Sequence, residues 1–222
     1  MVRTLALDVY GTLIDPLGIV RKLQEFAGDD AATFAAMWRS KQVEYLFRRG
    51  LGRDYQPFSV CTRQALEFTS RSLRIRLSAA DEQDLMDEYL KLPAFGEVPK
   101  ALDELGSTGY QCWAFSNGEP DDLEVLLAQS GLRALLDGVV SVHDVASFKP
   151  DPAVYDHFLR SSGSSADETW LVSGNPFDIL GAHAAGWQTA WVRRDASAVF
   201  DPWGAEPTVT VGGMDELPAA FG

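Results

Sequence analysis

Apolar residues fall in two patterns along the chain. The first is a set of short continuous runs. Arg3 to Val9 is apolar until Asp8 interrupts it, and similar runs occupy Tyr110–Phe115, Val139–Val142, Thr169–Ser173, Thr189–Val192 and Thr208–Val211. Continuous apolar strands belong to parallel sheets covered on both faces. The last run is read as an edge strand. Between the runs, Pro120–Ser130, Pro152–Ser161 and Phe177–Ala185 carry helical spacing. The second pattern fills positions 16–92, which are rich in helix formers and lack a strong strand. Phe34, Met37, Trp38, Lys41 and Tyr45, then Ala65, Leu66, Phe68, Thr69 and Leu73, mark four or five amphipathic helices. The chain therefore predicts an α/β fold, a doubly wound and mostly parallel Rossmann-like sheet with a helical insertion in its first crossover. The expected division is a core of 1–14 plus 93–222 and a helical unit of 15–92.

Composition narrows the field. The 222 residues carry 19 basic and 32 acidic side chains, a net charge of −13. Such a balance lacks the basic footprint of nucleic-acid or anionic-membrane binding. No stretch approaches the roughly 18 apolar residues that span a bilayer, and the N-terminus does not read as a signal peptide. Two cysteines cannot form a disulfide framework. A cytoplasmic protein is expected.

Parallel strands bring their C-terminal ends together, and that edge is where α/β sheets bind ligands. The clusters predicted to meet there are Asp8-Val9-Tyr10-Gly11-Thr12, Ser116-Asn117-Gly118, Lys149-Pro150 and Ser173-Gly174-Asn175-Pro176-Phe177-Asp178. Each has an ordinary structural reading: Asp8 capping a loop, Lys149 solvated before a turn, Ser116 and Asn117 at the start of a helix opened by Pro120. Against these, a charged residue ending a buried strand is costly without cause. The amides before Pro120 suit a carboxylate, because a helix N-terminus attracts anions.

Taken in order, Asp-x-Tyr-Gly-Thr, Ser-Asn-Gly, Lys-Pro-Asp-Pro and Asn-x-x-Asp resemble the haloacid dehalogenase superfamily over the whole chain, with 15–92 as its cap domain. Phosphatases of that superfamily carry a second Asp two residues after the nucleophile, where this chain has Tyr10. They also keep acidic residues in the last motif for Mg²⁺, where this chain has Asn175. The branch resembled is thus the 2-haloacid dehalogenases, since a departing halide needs no proton. Trp38-Arg39-Ser40-Lys41-Gln42-Val43-Glu44-Tyr45 is similar to that branch's cap segment, in which the Arg holds the halide. Ser40 stands where relatives often have Gln, and Phe177 where they often have Trp; both are expected beside the pocket.

The resemblance implies the following roles. Asp8 attacks C2 of an L-2-haloalkanoate, inverts it and forms an ester, without cofactor or metal. Lys149 keeps Asp8 ionised and forms a charge network with Asp178. Ser116 and Asn117 bind the substrate carboxylate, and Arg39 the halide, with Asn117 shared between the two. Thr12, Ser173, Asn175 and Asp178 orient the groups and the hydrolytic water, Asp178 acting directly or through the Lys149 charge. Tyr155 either supports that network or is core. Val9, Tyr10, Phe58, Val43 and Phe177 wall the pocket. The implied partner is a small halogenated carboxylate, and the implied assembly a homodimer. The rivals are a Mg²⁺-dependent phosphatase and a non-catalytic binding relative. His143, His157 and His183 show no ligand spacing, and Cys61 and Cys112 read as packing. An anionic substrate on an acidic chain requires a small positive focus, expected from Arg39, Lys149 and the helix N-terminus.

Overall fold

The computed structural model describes residues 3–221. Six strands form one all-parallel sheet in the order β3-β2-β1-β4-β5-β6, with helices on both faces. They are β1 Thr4–Asp8, β2 Gln111–Ser116, β3 Gly138–Ser141, β4 Thr169–Ser173, β5 Gln188–Val192 and β6 Val209–Val211. The central strands are buried along almost their whole length, which is why they read as unbroken apolar runs. Val209–Val211 forms the predicted edge. Pairing aligns Asp8 with Phe115 and Ser116 with Ser141, so the polar strand ends share one rim.

Between β1 and β2 the chain runs through α1 Val20–Ala27, α2 Ala31–Gly52, α3 Phe58–Leu73 and α4 Ala79–Tyr89. Ser78 and Asp81 form a reciprocal capping box that starts α4. These helices share an apolar interior in which Phe34 meets Trp38 edge-on, and Trp38 meets Tyr89. The insertion enters and leaves at one place: Asp15 N donates to the Pro93 carbonyl at 2.9 Å and Phe95 N to the Leu13 carbonyl at 3.1 Å.

The remaining helices are α5 Val98–Ser107, α6 Pro120–Gln129, α7 Pro152–Ser162, α8 Pro176–Ala184 and the short α9 Leu217–Phe221. Proline opens α6, α7 and α8, where a missing N–H costs nothing. The sequence reading did not single out α5 or α9. The signal for α5 was present: Val98, Ala101, Leu102 and Leu105 are its buried face.

The turn after β1 requires glycine. Thr12, Leu13 and Ile14 amides all converge on the Val9 carbonyl, and Gly11 sits at φ +94. Gly174, after β4, meets this turn so closely that a Cβ there would lie 2.4 Å from the Gly11 oxygen.

Gly174→Ala is therefore expected to cost about 1–3 kcal/mol by overpacking. Gly106→Ala, in helix α5 with nothing within 4 Å, is expected to stabilise by up to about 1 kcal/mol. Urea denaturation of both variants checks the pair.

Candidate active site

Three strand ends and one loop meet around the Asp8 carboxylate. Lys149 Nζ donates to Asp8 Oδ1 at 2.8 Å, to Asp178 Oδ2 at 2.7 Å and to the Phe115 carbonyl at 3.0 Å. On the other oxygen, Asp8 Oδ2 accepts from Thr12 Oγ1 at 2.7 Å, from Asn175 Nδ2 at 2.8 Å and, more loosely, from Ser173 Oγ at 3.4 Å. Thr12 Oγ1 in turn accepts from Gly174 N at 2.8 Å. Tyr155 donates to Asp178 Oδ1 at 3.1 Å, so this buried tyrosine is part of the network.

Lys149 is 1% exposed and Asp178 0%. Burial penalises the Lys149 ammonium, yet the carboxylates of Asp178 and Asp8 more than offset this and raise its pKa. Burial also penalises the Asp178 carboxylate and pushes it up to about 6, against the pull of Lys149. One cation thus stands between two carboxylates and cannot neutralise both.

The cleft above Asp8 is lined by Tyr10, Arg39, Val43, Leu46, Phe58, Ser116, Asn117, Asn175 and Phe177, and is nearly closed, with a volume of about 10 Å³. Arg39, Val43 and Leu46 share one face of α2 because side chains four and three residues apart align on a helix. Ser40 does not flank the cleft: the next residue is rotated by about 100°, and Ser40 is exposed to solvent. Phe177 does line it, and meets Phe47 edge-on at 5.0 Å. Tyr10 stacks on Phe58 at 4.9 Å, and burial pushes its phenol far above the ordinary range.

Arg39 donates to the Gln42 side-chain oxygen at 2.8 Å and to the Tyr10 carbonyl at 3.1 Å. Among the described residues no carboxylate lies within ion-pair distance of it. Ser116 Oγ accepts from Gly118 N, leaving its proton free to donate. Asn117 Oδ1 accepts from Lys149 N, which fixes the amide.

The sequence-predicted residues separate into three groups. Asp8, Tyr10, Arg39, Phe58, Ser116, Asn117, Asn175, Phe177 and Val43 line the cleft. Thr12, Lys149, Ser173, Asp178 and Tyr155 lie beneath it, around Asp8. Val9 does neither: its side chain is fully buried in the core and its carbonyl anchors the turn. The expected positive focus is also narrower. Lys149 is enclosed by its two carboxylates, so Arg39 is the cation that lines the cleft. Leu46 and Gln42 were missed. Leu46 follows Val43 at helical spacing, and Gln42 is a fully buried polar residue that holds Arg39 on one side and Thr62 on the other.

Elsewhere the chemistry is quiet. Burial pushes the Cys61 and Cys112 thiols up to about 11 and about 12, away from thiolate reactivity. His143 bonds Tyr55 at 2.9 Å, and His157 lies 3.6 Å from Asp144. Among the described residues no group of three or more His, Cys, Asp or Glu could hold a metal, and no helix is long and apolar enough to cross a membrane. A larger groove of about 680 Å³ between α2 and α3 is open, lies away from Asp8 and brings together no nucleophile and base.

Such an edge, with a buried carboxylate at its centre, is where α/β enzymes place their chemistry. Residues 2–186 match the family model of haloacid dehalogenase-like hydrolases, and the chain belongs to that family. It is 35% identical over 206 residues to the (S)-2-haloacid dehalogenase of Pseudomonas sp. (strain YL), covering 93% of this chain and 88% of the relative. It is 32% identical to haloacetate dehalogenase H-2 of Moraxella sp. (strain B), covering 97% and 96%. Among solved structures, the L-2-haloacid dehalogenase from Xanthobacter autotrophicus with chloropropionic acid covalently bound superposes with a TM-score of 0.94 at 27% identity, covering 100% and 98%.

The buried charge cluster yields a stability prediction. Lys149→Met leaves two buried carboxylates unpaired and is expected to cost about 3–5 kcal/mol near pH 7.5. Without its ammonium, Asp178 moves further above about 6. A carboxyl raised on folding binds more protons in the folded state, so its penalty is felt at higher pH and is relieved on acidification. The loss should therefore shrink by more than about 1 kcal/mol at pH 5, as read by urea denaturation at the two pH values.

Proposed function

We propose that the protein hydrolyses small L-2-haloalkanoates to D-2-hydroxyacids through an ester on Asp8, with inversion at C2 and without metal. The observation that carries this reading is the pairing of a pinned carboxylate with a guanidinium that has no carboxylate partner among the described residues, the two lining one small cleft.

A carboxylate displaces halide best when it is held in line and its substrate is dry. Lys149, Thr12 and Asn175 fix both Asp8 oxygens. Tyr10, Phe58, Val43 and Leu46 supply the apolar wall. The substrate carboxylate sits at Ser116 and Asn117, before the N-terminus of α6, with Asn117 also within reach of the halide. An Asp8 oxygen forms a bond to C2 as the carbon–halogen bond breaks, and the halide leaves with the electron pair toward Arg39. Water then adds to the Asp8 carbonyl carbon, the C2 oxygen leaves as the hydroxyacid, and the carboxylate is restored with one proton passing to solvent.

Thr12, Ser173 and Asn175 orient the ester. Asp178 acts through Lys149, since both of its oxygens are already bonded and buried. The amide of Asn175 and the ammonium of Lys149 occupy the Asp8 oxygens that Mg²⁺ would need, and Tyr10 supplies no acid for an oxygen leaving group; both favour this reading over a phosphatase. Residues 15–92 act as a helical cap over a catalytic core of 1–14 and 93–222. The resemblance extends to a homodimer.

Chloride release from L-2-chloropropionate is expected to persist in EDTA, and Asp8→Asn to abolish it. A single turnover in heavy-oxygen water should label Asp8 before the product. Label entering the product directly, or strict Mg²⁺ dependence, would overturn the mechanism.

The pH profile gives a separate test. Turnover needs Asp178 ionised, so its rate should fall as pH drops through about 6. Tyr155 donates to the ionised carboxylate and lowers its pKa. Tyr155→Phe should therefore move the acid limb to higher pH.

A further inference from the structure

The turn that follows Asp8 presents three successive carbonyls, at Tyr10, Gly11 and Thr12, and each accepts a side-chain donor. Tyr10 O takes Arg39 and Asn175, both at 3.1 Å. The other two are taken by one residue outside the site as described so far. Arg194, just past the end of β5, donates Nη1 to Gly11 O at 3.3 Å and Nη2 to Thr12 O at 2.8 Å.

The same guanidinium is fixed from the opposite side. Its Nε and Nη2 reach Glu97 Oε1 at 2.9 and 2.6 Å. Its central carbon lies 3.7 Å from the centroid of the Phe95 ring. Glu97 and Phe95 belong to the return segment from the helical insertion, and Gly11 and Thr12 to the outgoing one. Arg194 thus ties together both crossings, at the point where Phe95 N bonds the Leu13 carbonyl. A planar fork can hold two carbonyls, a carboxylate and an aromatic face at once; a lysine cannot.

We infer that Arg194 is a positioning residue for the nucleophile. It sets the backbone of Gly11 and Thr12, and through it the Thr12 hydroxyl, which donates to Asp8 Oδ2 and accepts from Gly174 N. Gly174 packs directly against the Gly11 carbonyl, so a displacement of that carbonyl is passed straight to the loop after β4. Glu97 acts one step further out, by orienting Arg194. This role rests on the proposed attack by Asp8, yet the geometry it asserts is measurable without turnover.

Two readouts test the inference. In Arg194→Gln, kcat for chloride release from L-2-chloropropionate should fall about 10–100-fold, the scale of a misplacement approaching 1 Å, with KM within about threefold because the cleft contacts are intact. Arg194→Lys should remain at least about fivefold below wild type, and Glu97→Gln should lose less than Arg194→Gln and add little to it. Amide exchange should quicken in peptides covering 9–15 and 172–176 and stay unchanged in β3. A kcat within twofold of wild type in Arg194→Gln overturns the inference, as does a rise in KM alone or protection of those peptides. Should Arg194→Gln fail to fold, Arg194→Lys and Glu97→Gln decide by the same criteria. Wild-type protein that releases no halide refutes the dehalogenase reading instead, and the exchange measurement still decides the positioning role.

Discussion

A single ammonium group organises this protein's chemistry. Lys149 lies buried between Asp8 and Asp178 and also caps the carbonyl of Phe115. Two carboxylates and one lysine withdrawn from water are worth keeping only when every charge is met, since desolvation rivals the attraction gained. The geometry meets them: β1 delivers one carboxylate, α8 the other, and the loop after β3 the lysine, with Tyr155 and Thr12 on the remaining oxygens. Any change in sheet order would separate these groups.

From that constraint follows a division between the two sides of the site. Below, everything is fixed. The Asp8 oxygens, the Asp178 oxygens and the three carbonyls of the β1 turn each have assigned donors. Above, the cleft is small and walled by apolar side chains, with Arg39, Ser116, Asn117 and Asn175 as the polar groups that line it beside Asp8. The net charge of −13 is therefore no obstacle to the anionic substrate proposed. At contact range a single cation outweighs a distant, screened field.

Much of this was legible from the residues. The strands were visible because parallel strands buried on both faces are written as apolar runs, and the motif clusters at their ends had to converge. The helices of the insertion showed their apolar spacing. What escaped was set by tertiary geometry. Ser40 sits next to Arg39 in sequence but faces solvent, since adjacency along a helix is not adjacency in space. Val9 neighbours the nucleophile yet points into the core. Gln42 and Arg194 escaped for the opposite reason. Gln42 lies in the cap segment with no role assigned to it and Arg194 in no motif, and both matter only because folding brings an Arg39 guanidinium or the carbonyls of Gly11 and Thr12 within reach. A lone Arg after a strand carries no signal of that kind.

The hydrogen bonds that join Asp15 to Pro93 and Leu13 to Phe95 bear on how the chain folds. β1 must pair with β2 and β4, its partner residues including Gln111 and Thr169, and distant pairings slow folding. A helical segment dominated by local contacts can form early. Once it has folded, with its two ends side by side, the long excursion acts as a short connection. The entropy of closing the loop is then met within the insertion rather than at the sheet. The element that roofs the cleft in the finished protein would thus serve, during folding, as the clasp that brings the first strand to its neighbours.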